Sequence, residues 1–157
     1  MSAKNRQKAI LLVEDDDADS EIVEILLKRN SIPNPFYRAR DGVEALELLR
    51  KMSADEKLEQ PFLLVVDIYL TRMSGLKFLE NVRLDNALKE HTAVILTTSN
   101  FMDHRACAYG LNVAGYVLKD QMQDLTAFID HCGTIKTIAG KTTAIFNERA
   151  CFTPPPV

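Results

Sequence analysis

Residues 9–17 read AILLVEDDD. Five apolar side chains run without a break into four acids. A run so short and so uniformly apolar reads as a strand buried on both faces, the kind found inside a parallel sheet. Two further runs repeat the pattern: Phe62–Val66 ends at Asp67, and Ala93–Leu96 ends in Thr97, Thr98 and Ser99. Phe36–Ala39 and Gly115–Leu118 are shorter strand candidates, the second ending at Lys119.

Amphipathic stretches separate these runs. The spacing of Ile22, Ile25 and Leu26 predicts a helix over 17–30, with Asp16 or Asp17 as its cap. Pro33 and Pro35 punctuate the loop that follows. Asp41 and Glu44 resemble a capping box, and Ala45, Leu48, Leu49 and Met52 recur on one helix face. After a polar connection (53–60), a third helix starts just past Gly75 and runs over 76–82. Asp103 is placed to cap a fourth, through Leu111. Leu125, Phe128, Ile129, Cys132 and Ile135 mark a fifth, weakened by Gly133. Five strand–helix units predict an α/β fold, a parallel sheet with helices on both faces.

The 157 residues predict one domain over 9–139, preceded by an arm (1–8) and followed by an irregular extension (140–157). With 22 acidic against 19 basic side chains the net charge is −3, which argues against a nucleic-acid partner. The apolar runs are far too short to span a bilayer, and no export-signal core follows the basic N-terminus. Cys107, Cys132 and Cys151 are odd in number and lack paired spacing. That argues against a disulfide framework or zinc site and for a reducing cytoplasm.

In open parallel sheets, ligands bind at the carboxyl ends of the strands. Those ends carry Glu14, Asp15, Asp67, Thr97 and Lys119. Carboxylates gathered in one crevice need a cation, or their pKa values rise. Hard oxygen ligands select Mg²⁺ or Mn²⁺. The Thr97 hydroxyl and the Lys119 ammonium suit a phosphoryl group. Asp67 closes a central run and is the candidate nucleophile, able to form an aspartyl phosphate. Asp16, Asp17 and Asp19 are assigned instead to capping the next helix and complementing its dipole.

The segments ILLVEDDDADSEIVEILLKR, LLVVDIYLTRMSGLKFLENVR, AVILTTSN and AGYVLKD together resemble the receiver domain of two-component response regulators, over roughly Ala9 to Ile138. The resemblance implies a doubly wound, flavodoxin-like (βα)5 fold with strand order 2-1-3-4-5. It implies a signalling protein rather than an enzyme, located in the cytoplasm. Asp67 matches the acceptor that takes a phosphoryl group from a histidine kinase. Glu14 and Asp15, with Asp67 and the backbone carbonyl of Tyr69, match the Mg²⁺ ligands. Thr97 matches the hydroxyl that moves onto the phosphoryl group, Lys119 the lysine that pairs with it, and Tyr116 an aromatic switch that turns inward on activation. Gly75 matches the glycine of the loop after the acceptor.

Three positions depart from that pattern. Thr71 stands where a proline often follows the acceptor, Asp120 replaces a proline after the lysine, and Tyr69 is unusually large. The polar connection and the TTS sequence after the fourth strand also resemble the small regulators that partner phytochrome-type histidine kinases. About 18 residues follow the last unit, too few for a helix-turn-helix output module, so a stand-alone receiver is expected. The extension leaves homodimerisation and an unordered tail as equal readings.

Rival chemistries fail on a few positions each. An aspartyl phosphohydrolase of the haloacid-dehalogenase kind needs a second acid where Tyr69 stands. A flavodoxin-type phosphate loop would be repelled by Glu14–Asp17. The EF-hand-like spacing of Asp15, Asp17 and Asp19 breaks at Ser20 and Leu26.

Overall fold

All five strand candidates become strands, and every ladder between them is parallel. The computed structural model describes residues 8–134. In chain order the elements are β1 (Ile10–Val13), α1 (Asp17–Arg29), β2 (Phe36–Ala39), α2 (Gly42–Ala54), β3 (Leu63–Val66), α3 (Gly75–Leu84), β4 (Thr92–Thr97), α4 (Met102–Gly110), β5 (Gly115–Leu118) and α5 (Gln123–Thr134). The strand order is β2-β1-β3-β4-β5, as the resemblance implies. The expected arm (apart from Lys8), Ile135, the domain's last residues and the extension with Cys151 lie outside the described residues. So do the surroundings of the Cys132 side chain.

The sheet separates two cores, because successive strand residues point to opposite faces. Leu11, Val13, Leu64, Val66 and Ile95 pack with Leu49, Phe78 and Ala108 of α2, α3 and α4. Ile10, Leu12, Val65, Val94 and Leu96 pack with Val23 and Leu27 of α1 and Leu125 and Ile129 of α5. Strands covered on both sides have no room for polar alternation, which is why these runs are continuous. Among the described residues, no helix is long and apolar enough to cross a membrane.

The first helix presents a different face from the one its spacing suggested. Ser20, Val23 and Leu27 are buried, whereas Ile22 and Ile25 are 44% and 40% exposed. The helix carries two apolar stripes, and the sheet takes the one bearing the smaller side chains; Leu26 packs only at its margin. Asp16, not Asp17, is the cap, accepting from the Asp19 amide at 2.9 Å. Asp41 caps α2 through the Val43 and Glu44 amides, and Glu44 accepts from Arg40 N rather than from the cap residue itself. Asp103 does not cap α4. The helix starts one residue earlier, at Met102, its N-cap is Phe101, and Asp103 sits in the first turn, where an anion meets the helix dipole. Past Lys119 the chain enters a short 3-10 turn (Lys119–Gln121); among the described residues the one cis peptide is Gln60–Pro61.

A polar knot under the opposite, amino-terminal end of the sheet ties three elements together. The buried His91 ring stacks on Phe62 with centroids 4.7 Å apart. Its Nδ1 accepts from the Phe62 amide at 2.8 Å, so the proton resides on Nε2, which faces Ser53 Oγ at 3.3 Å. Arg83 donates to the carbonyls of Leu111, Lys89 and His91. Burial, and then the charge of Arg83, push the His91 pKa down to about 4.

The fold therefore holds His91 neutral, while the unfolded chain protonates it near pH 6.5. Its contribution is complete above about pH 6.5 and is lost as pH falls toward 4, on the order of 3 kcal/mol in all. Urea unfolding of wild type and His91→Gln between pH 7 and pH 4 checks this. The wild type is expected to lose more stability over that window than the variant, and parallel curves would refute the assignment.

Candidate functional site

The strand register brings the predicted residues together. Val13 is level with both Ala39 and Val66, so Glu14 and Asp67 leave the sheet side by side. Asp67 N donates to Val13 O, and Glu14 N to Ala39 O. One strand further, Thr97 pairs with Leu118, which places Lys119 at the same rim. Carboxylate oxygens of Glu14, Asp15 and Asp67 lie within 4.8 Å of one another.

Lys119 Nζ lies 2.8 Å from Glu14 Oε2, 2.8 Å from Asp67 Oδ2 and 2.6 Å from Asp19 Oδ2. The contacts with Asp19 and Asp67 are hydrogen bonds. The contact with Glu14 is close but poorly aimed, and Glu14 Oε2 has no hydrogen-bond partner although Glu14 is only 1% exposed. Burial pushes the Glu14 carboxyl up to about 7 against the opposing pull of Lys119, and the negative charge of Asp67 adds to the rise. Burial works against the Lys119 charge too, but Asp19, Asp67 and Glu14 outweigh it and raise its pKa. A buried carboxylate oxygen that has an ion pair but no aligned hydrogen bond, beside two more carboxylates, is a donor set fitted to a hard divalent cation, Mg²⁺ or Mn²⁺.

Three arginines and one glycine frame the acids. Arg38, at the end of β2, donates to the Glu14 carbonyl and to Asp17 Oδ1. Arg40 adds a second ion pair to Asp17 at 2.9 Å. Asp17 is thus an ion-pair partner, its pKa held low first by Arg38 and then by Arg40. In the loop after Asp67, Arg72 takes a left-handed conformation (φ 59°), and its guanidinium grips the α2 cap Asp41 at 2.8 Å. That clamp stands beside Thr71, where a proline was the expected stiffener. Gly75 lies so close that a Cβ there would meet the Asp67 carbonyl oxygen at 1.9 Å, so the loop needs glycine at this point. Tyr69 donates its amide to Asp67 Oδ1; its ring, 48% exposed, meets His104 edge-on.

Thr97 and Tyr116 are both buried, and they meet at one residue that the sequence reading left unassigned. The Thr97 Oγ1 accepts from the Ser99 amide at 3.3 Å, and the Tyr116 hydroxyl donates to the Ser99 carbonyl at 2.7 Å. The Ser99 hydroxyl in turn contacts His104 Nδ1. Tyr116 therefore stands inward, with the Arg105 guanidinium 4.9 Å from its ring centre. Asp19 is the other omission. Reading it as a helix-dipole residue missed its contact with Lys119, a residue 100 positions away.

Residues 10–130 match the model of the response regulator receiver domain. The chain belongs to this family. It is 34% identical over 122 residues to response regulator Rcp1 of Synechocystis sp., covering 77% of this chain and 83% of that relative. The Mn²⁺-bound form of Rcp1 is similar in structure, with a TM-score of 0.66 and 31% identity over 83% of this chain and 96% of that one. The phosphorylated cyanobacterial phytochrome response regulator RcpA is likewise similar, with a TM-score of 0.68 and 29% identity over 80% of this chain and 92% of that one. Receiver-domain response regulators act in two-component signalling and are not enzymes, and this chain is one of them.

Asp15 lies in the acid cluster that could hold a cation and Asp16 caps α1, and two substitutions separate the two positions. Asp15→Asn is expected to lower Mn²⁺ affinity by about tenfold or more while leaving stability nearly unchanged. Asp16→Ala is expected to cost about 1 kcal/mol of stability through loss of the cap, with the smaller effect on the metal. Electron paramagnetic resonance of free Mn²⁺ and urea unfolding on both variants check the pair.

Proposed function

We propose that this receiver domain accepts a phosphoryl group from a histidine kinase on Asp67 and relays that event through Thr97, Lys119 and Tyr116. The observation that carries the proposal is the 2.8 Å contact of Lys119 with Asp67 beside Glu14 and Asp15, at the end of the central strand. In the proposed step an Asp67 carboxylate oxygen attacks the phosphorus of a phosphohistidine. The P–N bond breaks, its electron pair returns to the imidazole, and Asp67 becomes an acyl phosphate. Glu14, Asp15, Asp67 and the Tyr69 carbonyl would hold a Mg²⁺ or Mn²⁺ ion, which would supply charge neutralisation for the phosphoryl oxygens.

Lys119 turns from the Asp67 carboxylate to the new phosphoryl oxygens, which carry more charge. Thr97 gives up the Ser99 amide and donates its hydroxyl to the phosphoryl group. Because Ser99 also holds the Tyr116 hydroxyl, a change at Thr97 passes to Tyr116 through one residue. A local charge event then biases a packed element and alters the surface between β4 and α4. The kinase is proposed to be of the phytochrome type, a reading supported by the likeness to RcpA, and both partners are proposed to act in the cytoplasm.

Incubation with acetyl phosphate and Mg²⁺ tests the acceptor. Intact-mass spectra are expected to show one added phosphoryl group on wild type and none on Asp67→Asn, and chelation of the metal abolishes the gain. Equal incorporation into both proteins would overturn the assignment. Transfer from an autophosphorylated phytochrome-type kinase is expected to outrun transfer from an unrelated histidine kinase.

A further inference from the structure

Lysine's ammonium has three N–H donors and no acceptor. In this chain three carboxylates surround it, and the shortest of the three contacts, 2.6 Å, is to Asp19. Asp19 belongs neither to the acid cluster that can share a cation nor to the strand ends; it projects from the first turn of α1. The Asp19–Lys119 pair joins α1 to the segment after β5, and the Lys119 side chain is only 11% exposed. A partly buried pair of this kind is screened less than a surface one.

We propose that Asp19 is a positioning residue for Lys119, and that it biases the pocket toward a bare divalent cation and against the phosphoryl group. The inference rests on the reading of Asp67 as phospho-acceptor. Two effects act in the same direction. Asp19 retains Lys119 on the α1 side, so the ammonium divides its donors between Asp19 and whatever occupies Asp67. Asp19 also adds a negative charge to a crevice that already holds Glu14, Asp15 and Asp67 against one ammonium. A cation gains from that charge. A phosphoryl group, which adds negative charge at Asp67, loses by it. The unphosphorylated state is thereby the state the resting pocket is built to favour.

Asp19→Asn tests this with two equilibrium constants, because asparagine keeps the size and removes the charge. Mn²⁺ affinity, read by electron paramagnetic resonance, is expected to fall by about fivefold. Affinity for trifluoroberyllate, a phosphoryl mimic, measured at saturating Mg²⁺, is expected to rise by about fivefold. A merely structural role would weaken both, and that result, or two unchanged constants, would overturn the proposal. In metal-free protein the Lys119 ¹⁵Nζ resonance is expected to shift on Asp19→Asn, which reads the tether with no phosphoryl chemistry involved. Failure of wild type to bind trifluoroberyllate or to be phosphorylated would count against Asp67 as acceptor. An unmoved Lys119 resonance would count against the tether alone.

Discussion

One ammonium group holds this site together. Among the described residues, Lys119 is the one cation set directly against three carboxylates from three separate segments: Glu14 after β1, Asp19 in α1 and Asp67 after β3. Without it the acids would face one another across a few ångströms at the rim of the sheet, with burial already driving the Glu14 carboxyl upward. The parallel register makes the arrangement unavoidable, since every strand delivers its last residue to the same rim. The architecture thus concentrates charge, and the lysine makes the concentration tolerable. Acids pressed together and only partly neutralised are a donor set suited to a hard cation, and they are what supports the proposed chemistry on phosphorus.

Much of the fold was legible because burial on both sides leaves a simple mark. Runs such as Ile10–Val13 and Leu63–Val66 carry no polar residue, and the residue that follows each run, Glu14 or Asp67, is the one that reaches the site. Helix faces were harder. Ile22 and Ile25 satisfy a helical spacing as well as Val23 and Leu27 do, and only the position of the sheet decides between them. Asp103 resembled a cap by residue type, but capping depends on where the backbone leaves the helix, and that is fixed by the preceding loop.

Within the site, the legible residues were those whose role follows from ending a strand. Asp19 was not among them, because its role depends on Lys119, which only the completed sheet brings near. The same holds for Arg38, whose hold on the Glu14 carbonyl and on Asp17 needs β2 beside β1. Ser99 lies hidden in a run of hydroxyl residues. Its importance comes from its backbone, which accepts from Tyr116 and donates to Thr97, and no side-chain pattern announces that.

The close approach of Gly75 to the Asp67 carbonyl has a mechanical consequence. There is no slack between the end of β3 and the start of α3, and Arg72 braces the same loop against the cap of α2. This half of the rim is a stiff abutment. The other half is compliant by comparison: α4 begins without a side-chain cap, and the segment before it is held by contacts converging on Ser99. On the proposed reading of Asp67, a disturbance there would meet resistance on one side and give on the other, and displacement would be sent toward β4 and α4.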